Sequence, residues 1–491
     1  MSNFAIGSDR STNLNPDLFA VLAILAVLIP VYWTTLRPGQ DWGGDFSQYI
    51  AHARNIALGR PYAETSYQVT LPDAAVHMPA NYPPVFPLLL APVYRAFGLD
   101  YLPMKMLVQA LLMAACLCLY ALARLRGLKP LPSAAAVAAF ALAGLVLSVK
   151  DFIVSDTTYL FFASLCLALV VLVERRGWDR TRPMLAVTLV LPPMLLAYGS
   201  RSVGLSLALA VFVSEAVRHR RPRPFGVVAL LGFAAGVVLL TLTFYDSRAY
   251  GNQFRLHLPA YWSNLKFYLH TPAYLWAGSP APLRYSLAAA TAVVVFGQWL
   301  RRLAADCSIV EIYAPCALLP VLVYSSAPNA RYLLPVLMLY FIYFFEGIEF
   351  LAAKWPASLR VLPAAAGVVL AIGCITNLRG MERGPFPQGP EQPTFTDLRR
   401  YLSAHLDSHD LLVSWNPRVL ALYTGLRSAW YPETADNAVL DAYFRRTGAS
   451  YLLLYSGNPE DLAFLAPQVA REPQRFVPVF HNSDFVLYRI P

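Results

Sequence analysis

The chain has 491 residues, 57% of them hydrophobic and only 14% charged, with a formal net charge of +10 and a mean hydropathy of +0.47. A chain this apolar has more long apolar runs than one water-soluble core can hide, so a soluble globular protein is excluded and lipid must serve as part of its solvent.

In chain order, a polar start with Asp9, Arg10 and Asp17 precedes the first apolar stretch, and no small-residue cleavage site follows it. It reads as a retained signal anchor. Apolar stretches near 18–35, 104–123, 133–149, 157–173, 183–198, 203–217, 225–244, 284–300, 308–325, 332–351 and 359–376 each approach the ~20 residues a spanning helix needs,. The segment 82–97 is apolar too, but its four prolines and Arg95 mark it as re-entrant or interfacial.

Lys and Arg near span ends stay in the cytoplasm. Arg124, Arg126 and Lys129; Arg175, Arg176, Arg180 and Arg182; Arg218, Arg220, Arg221 and Arg223; Arg301 and Arg302; and Lys354 and Arg360 all fall on one side if the N-terminus is cytoplasmic and the spans number eleven. The loop 36–103, the loop 245–283 and the tail from Asn377 are then extracytoplasmic. The tail holds 11 Arg and no Lys against 12 Asp plus Glu, so the basic excess belongs to the membrane part. It is a topology signal and gives no reason to expect a nucleic-acid partner.

After a Pro/Gly-rich linker (384–393) the tail alternates helical patterns at 394–406, 437–447 and 460–470 with β-rich runs at 411–415, 451–455 and 485–490,. The expectation is a transmembrane domain over 1–376 and a small α/β domain over 394–491, with no phosphate-binding glycine motif. Five of the six cysteines lie in apolar segments, Cys307 lies in a cytoplasmic loop, and the outer regions have none, so disulfides are not expected,.

The residues suited to chemistry gather at outward span ends. In DWGGDFSQYIAHARNIALGRPY (41–62), Gly43 and Gly44 permit a tight turn between Asp41 and Asp45, and an amphipathic helix follows,. An acid at the edge of hydrocarbon is costly to desolvate and is usually kept for function, yet Asp45 reads equally as an N-cap. Asp156 in SDTTYLFF has the same placement and the same two readings, with Ser155 as the other candidate cap. Arg201, Arg248, Arg255, His257 and Arg331 fall on the same face. Converging arginines can hold a phosphate bidentately, while single ones snorkel. Lys105 and Lys150 are weaker candidates of that kind.

GGDFSQYIAHARNIALGRPY after the first span, YPPVFPLLLAPVYRAFG (82–98), SDTTYLFF (155–162), SRSVGL (200–205), ARYLLPVL (330–337) and the tail segment NPRVLALYTGLRSAWYP (416–432) follow one another in an order that resembles the GT-C superfamily of polyprenyl-phosphate-sugar-dependent glycosyltransferases. Its bacterial branch of protein O-mannosyltransferases and lipid A aminoarabinose transferases is the nearest in pattern. That pattern commonly has Asp-Glu in the first outer loop, whereas here Phe46 follows Asp45.

The resemblance implies an inverting transfer at the outer face of a bacterial inner membrane, from a polyprenyl-phosphate sugar to a lipid, polysaccharide or protein acceptor. Asp45 would be the base, and Asp41 would orient it, a close pair raising one of their pKa values. Arg201, Arg331, Arg248 and Arg255 would bind the donor phosphate. Asp156, His257, Tyr332 and Tyr82 would line the sugar and acceptor pocket. No cofactor is implied; some relatives hold a divalent cation between first- and second-loop acids, which here would be Asp45 or Asp41 with Asp156. The competing reading is a lipid or solute transporter using the same acids and arginines as a path, although no paired broken spans mark inverted repeats. An inert scaffold is a third.

Overall fold

The structure, a computed structural model, describes residues 15–72, 78–244, 258–324, 328–354 and 361–490. Among them, nine helices are long and apolar enough to cross a membrane: Pro16–Thr34, Tyr101–Leu125, Asp156–Arg176, Pro183–Ser200, Ser202–His219, Pro224–Phe244, Ala281–Ala305, Ala330–Lys354 and Leu362–Gly380. The chain is a polytopic α-helical membrane protein.

Two of the eleven expected spans take another form. The stretch 133–149 breaks into Pro130–Ala141 and Gly144–Val149, with the chain extended at Ala143 (ψ 142°). Gly144 packs against Tyr274 and Ala277 there, where a Cβ would meet backbone. The stretch 308–325 yields a 14-residue helix, Ile309–Leu322, opened by a Ser308–Glu311 capping box and carrying Pro315 and Pro320. The proline-rich 82–97 segment forms Val85–Phe97, 13 residues, about 20 Å at 1.5 Å per residue and too short to span,.

Burial sorts the spans. The most apolar stretch of Asp156–Arg176 is 78% buried among its neighbours, whereas in Ala281–Ala305 and Leu362–Gly380 the figure is 17%, leaving apolar faces turned outward as lipid requires,. At the arginine-rich end, Arg126 reaches Glu346 (2.7 Å) and Glu311 (2.9 Å), and Arg302 adds a third contact to Glu346 (3.0 Å). Arg126 and Arg302, read from sequence as topology signals, thus join Glu311 and Glu346 in clamping four helices together.

At the other end lies a six-stranded sheet: β1 (Tyr67–Gln68), β2 (Leu411–Val413), β3 (Arg427–Ala429), β4 (Tyr451–Tyr455), β5 (Val477–His481) and β6 (Phe485–Arg489), in the order β1-β3-β2-β4-β6-β5. β1 to β4 run parallel; β6 is antiparallel to β4 and β5, and Pro478 sits in the edge strand, where a missing N–H is tolerated,. β2, β4 and β6 and the helices Pro393–His405 and Asn437–Thr447 lie where expected, apart from trimmed strand ends; β3, β5 and the helix Pro417–Thr424 were not anticipated. β1 comes from the first outer loop and pairs Tyr67 with Ser428, so the C-terminal sheet includes a strand from the other end of the sequence.

The tail is fastened to that loop. Trp42 meets the rings of Phe395, Trp415, Tyr455 and Phe485 at centroid distances of 5.2–6.2 Å. Asn416 Nδ2 donates to the Trp42 carbonyl (2.6 Å), and Arg54 Nη1 donates to that of Leu422 (3.0 Å). All six cysteines carry free thiols.

Candidate active site

Four separate element ends supply the charged groups. Asp45 opens the helix Asp45–Ala57, with Gly44 at the N-cap position. Neither Gly43 nor Gly44 uses the left-handed backbone that glycine makes accessible. Instead they allow close approach, since a Cβ at Gly43 would lie 3.1 Å from Asp41 Oδ1 and one at Gly44 3.4 Å from Asn416 Oδ1. Asp156 opens its span, and the Ser155 hydroxyl pairs with that of Tyr49 (2.7 Å) with no side-chain cap on the helix. Arg201 ends the helix Pro183–Ser200 by turning extended (φ −152°, ψ 137°). A short turn through Gly204 follows, packed so tightly on Tyr198 that a Cβ would sit 2.5 Å from its backbone. Arg331 stands in the turn Ala330–Leu333, whose start Asn329 caps by accepting from the Arg331 N–H (3.1 Å).

These ends converge on a cavity of about 290 Å³ lined by Asp45, Tyr49, Tyr82, Asp156, Arg201, Arg331 and Tyr332 among others. Arg331 Nη2 donates to Asp45 Oδ2 (2.6 Å), and its Nη1 lies 4.0 Å from Asp156 Oδ2. Arg201 Nη1 pairs with Asp156 Oδ1 (2.7 Å). Both guanidinium groups lie near the Tyr332 ring, 5.4 and 5.6 Å from its centroid. The Tyr82 hydroxyl donates to Asp45 Oδ1 (2.6 Å), and the ring stacks on Tyr49 at 4.6 Å. The Asp45 side chain, 32% exposed, thus spends both oxygens on partners across the site and caps nothing.

Burial works to raise the Asp45 carboxyl, but the Arg331 and Arg418 guanidinium groups and the Tyr82 hydroxyl outweigh it and hold it below the ordinary carboxylate range,. Asp45 is therefore not the raised member of an Asp41–Asp45 pair. Asp41 does not line the cavity: its Oδ1 accepts from Gln40 Nε2 (2.9 Å) and the Gly43 N–H (3.1 Å), closing its own turn. Burial, set against the pull of Arg418, raises Tyr82 well above the usual tyrosine range, so it stays a donor.

Lys105 and Lys150 find their partners away from the cavity. Lys105 Nζ donates to the Arg37 carbonyl (2.8 Å), while Lys150 pairs with Asp151 (2.7 Å) and the Thr35 carbonyl (2.8 Å); neither lines the cavity. Arg248, Arg255 and His257 lie outside the described residues.

Arg418 was missed. It stands in the first turn of Pro417–Thr424, 2% exposed, and reaches from the C-terminal sheet region to Tyr82 and Asp45. The sequence signal was an arginine set between a proline and the apolar run VLAL, a setting where a charge is costly unless a partner waits for it.

The fold of the whole chain has known counterparts. ArnT from Cupriavidus metallidurans, solved with undecaprenyl phosphate bound, superposes with a TM-score of 0.59 at 16% identity over 96% of this chain and 97% of that one. The archaeal oligosaccharyltransferase AglB from Archaeoglobus fulgidus, solved with an inhibitory peptide and a dolichol-phosphate, gives 0.59 at 11% identity over 94% and 72%. The protein has the GT-C fold. AglB has also been solved in complex with zinc and sulfate, at the same TM-score and identity. No family model and no curated protein matches the sequence. In this GT-C chain no group of three or more His, Cys, Asp or Glu gathers among the described residues, and the Arg331 guanidinium lies between the two acids of the cavity. Asp45 and Asp156, the two acids named for a cation, are each paired with an arginine in this structure.

Proposed function

We propose that the protein is an integral membrane glycosyltransferase that moves a sugar from a polyprenyl-phosphate donor to an envelope acceptor at the outer face, with inversion. One observation carries this reading: two acids and two arginines from four element ends, far apart in sequence, meet around one cavity in a GT-C fold. The relatives of that fold were solved with polyprenyl phosphates bound, which supports a lipid-phosphate donor here.

In the proposed reaction an acceptor hydroxyl attacks the anomeric carbon from the face opposite the phosphate. The new C–O bond forms as the bond from the anomeric carbon to the phosphate oxygen breaks, and the polyprenyl phosphate departs with that electron pair. Asp45 takes the hydroxyl proton, as general bases do at hydrogen-bond range. Arg201 and Arg331 take the charge that grows on the leaving phosphate, the kind of preorganised stabilisation that counts most in a water-poor site. The ion pairs give these groups an order of action. A donor phosphate competes with Asp45 Oδ2 for Arg331; once the guanidinium turns to phosphate, that carboxylate oxygen loses its counter-charge and becomes more basic where the proton must go. Tyr332, beside both arginines, and Tyr82 form walls of the sugar pocket, and no step passes through a metal.

The test is transfer from a panel of radiolabelled polyprenyl-phosphate sugars to extracted envelope lipids, wild type against Asp45→Asn, with and without EDTA. Transfer by the wild type, insensitive to chelator and lost in the variant by about 10²-fold or more, supports the reading. If none of the donors is turned over, the transporter alternative replaces it.

A further inference from the structure

We propose that Arg418, carried by the C-terminal part of the chain, is a positioning residue for the transfer reaction: through the Tyr82 hydroxyl it ties back Asp45 Oδ1 and leaves Oδ2 as the oxygen that serves as base. This rests on the glycosyl-transfer reading and gives the tail a part in the chemistry itself.

The geometry is that of a relay. Arg418 Nη1 donates to the Tyr82 hydroxyl (2.7 Å), which donates to Asp45 Oδ1 (2.6 Å). The direct approach of Arg418 Nη1 to that oxygen is longer, 3.5 Å, so the hydroxyl is the main link. A hydroxyl that accepts from a cation is a stronger donor, because successive hydrogen bonds polarise one another. On the far side of the carboxylate, Oδ2 faces Arg331 and the cavity. The two oxygens therefore have unlike partners: one is held by groups that no donor displaces, the other by the arginine that a phosphate recruits.

Arg418 is itself immobilised. Its Nη2 donates to the Pro79 carbonyl (2.8 Å), and the Tyr67 and Tyr82 rings lie 5.3 and 5.0 Å from its guanidinium carbon. The side chain is 1% exposed, and its buried Nε has no partner among the described residues. Among the described residues Asp45 is the one carboxylate that pairs with it. Taking a guanidinium out of water costs free energy that an apolar side chain of equal volume avoids, so a filler would serve packing better than this charge does. β1–β3 pairing and the Asn416 and Arg54 hydrogen bonds hold the Arg418 helix against the helix that begins with Asp45.

Full-length wild type, Arg418→Met, Arg418→Lys and Tyr82→Phe would be compared in nanodiscs, using the labelled polyprenyl-phosphate sugar that the wild type turns over. The measurements are kcat, donor KM, the pH profile of kcat/KM and the melting temperature. The charged and titratable groups around Asp45 are Arg331, Arg418 and Tyr82, with Asp156, Arg201 and Tyr49 behind them. Losing the Arg418 cation removes stabilisation of the carboxylate, so the acid limb in Arg418→Met is expected to rise by about one pH unit or more. We expect kcat to fall at least about tenfold in Arg418→Met and Tyr82→Phe, with donor KM within about threefold, as for an interaction made in the transition state. Arg418→Lys should return the acid limb towards its wild-type position.

A folded Arg418→Met with wild-type kcat and an unmoved limb overturns the proposal, as does a variant in which donor KM alone changes. Should Arg418→Met not fold, Tyr82→Phe decides: an unmoved acid limb there overturns the relay, and a roughly tenfold loss of kcat with a raised acid limb upholds it. A wild type that transfers from no donor overturns the transfer reading and the positioning role with it.

Discussion

Asp45 holds its charge against burial because Arg331 and Arg418 face it, and that balance can be read without any substrate. Its folded pKa lies below the ordinary aspartate value of about 4, so the stability it adds is fully present above that pH and is lost as pH falls through the folded pKa. Thermal melts of wild type and Asp45→Asn should therefore converge as pH drops below about 4 and stay apart above it. Arg331 carries a different expectation. On the proposed reaction, replacing it by Gln removes a contact to the donor phosphate and leaves Asp45 Oδ2 without its Arg331 partner, so donor KM should rise at least about tenfold, and Arg331→Lys should restore little of it because the bidentate fork is lost. Titration of donor against rate for the three proteins measures this. At this scale Asp45, Asp156, Arg201 and Arg331 were legible as acids and arginines stranded at span ends. Asp41 was not separable from Asp45 by sequence, because its turn-closing hydrogen bonds to Gln40 and Gly43 depend on loop conformation.

The elements act as brackets for those side chains. The turn through Gly204 sets where Arg201 points, and any Cβ at 204 meets Tyr198 backbone, which cannot swing aside as a side chain can. Gly204→Ala should thus disturb the Arg201–Asp156 pair and weaken donor binding far more than its added methyl suggests, measurable as a rise in donor KM. At the opposite end, Glu346 joins Arg126, Arg302 and Gln298, with side-chain exposure of only 3%. Glu346→Ala leaves Arg126 in a low-dielectric setting with Glu311 alone, and breaking such a buried network typically costs about 3–5 kcal/mol. A melting-temperature drop with little change in donor KM is the expected signature, since Glu346 does not line the cavity of Asp45 and Arg331. Helix periodicity foretold most of these brackets. It did not foretell the break at Ala143 or the short Ile309–Leu322 helix, because an apolar run looks alike whether it crosses lipid whole or bends against neighbours.

Over the whole molecule, the acids and arginines of the cavity lie at the end that carries the sheet, and the arginine-rich loops lie at the other. Single cysteines at Asp407 and Arg221 in a background without other cysteines should separate them: an impermeant maleimide is expected to label the first in intact cells and the second only after the membrane is opened. The amino-acid sequence by itself determined that the chain lives in lipid, roughly where it crosses, which ends are basic and that the tail is α/β. The membrane features follow from transfer of local segments between water and hydrocarbon and the α/β tail from local periodicity, and none needs knowledge of neighbours. Only the tertiary structure decided which charges meet. Asp45 finds its partners 286 and 373 residues away, and β1 joins a sheet whose other strands begin beyond residue 410. Such contacts are set by how helices and sheet pack, and the energy that selects Arg418 over Asp41 as the companion of Asp45 exists only once the chain has folded.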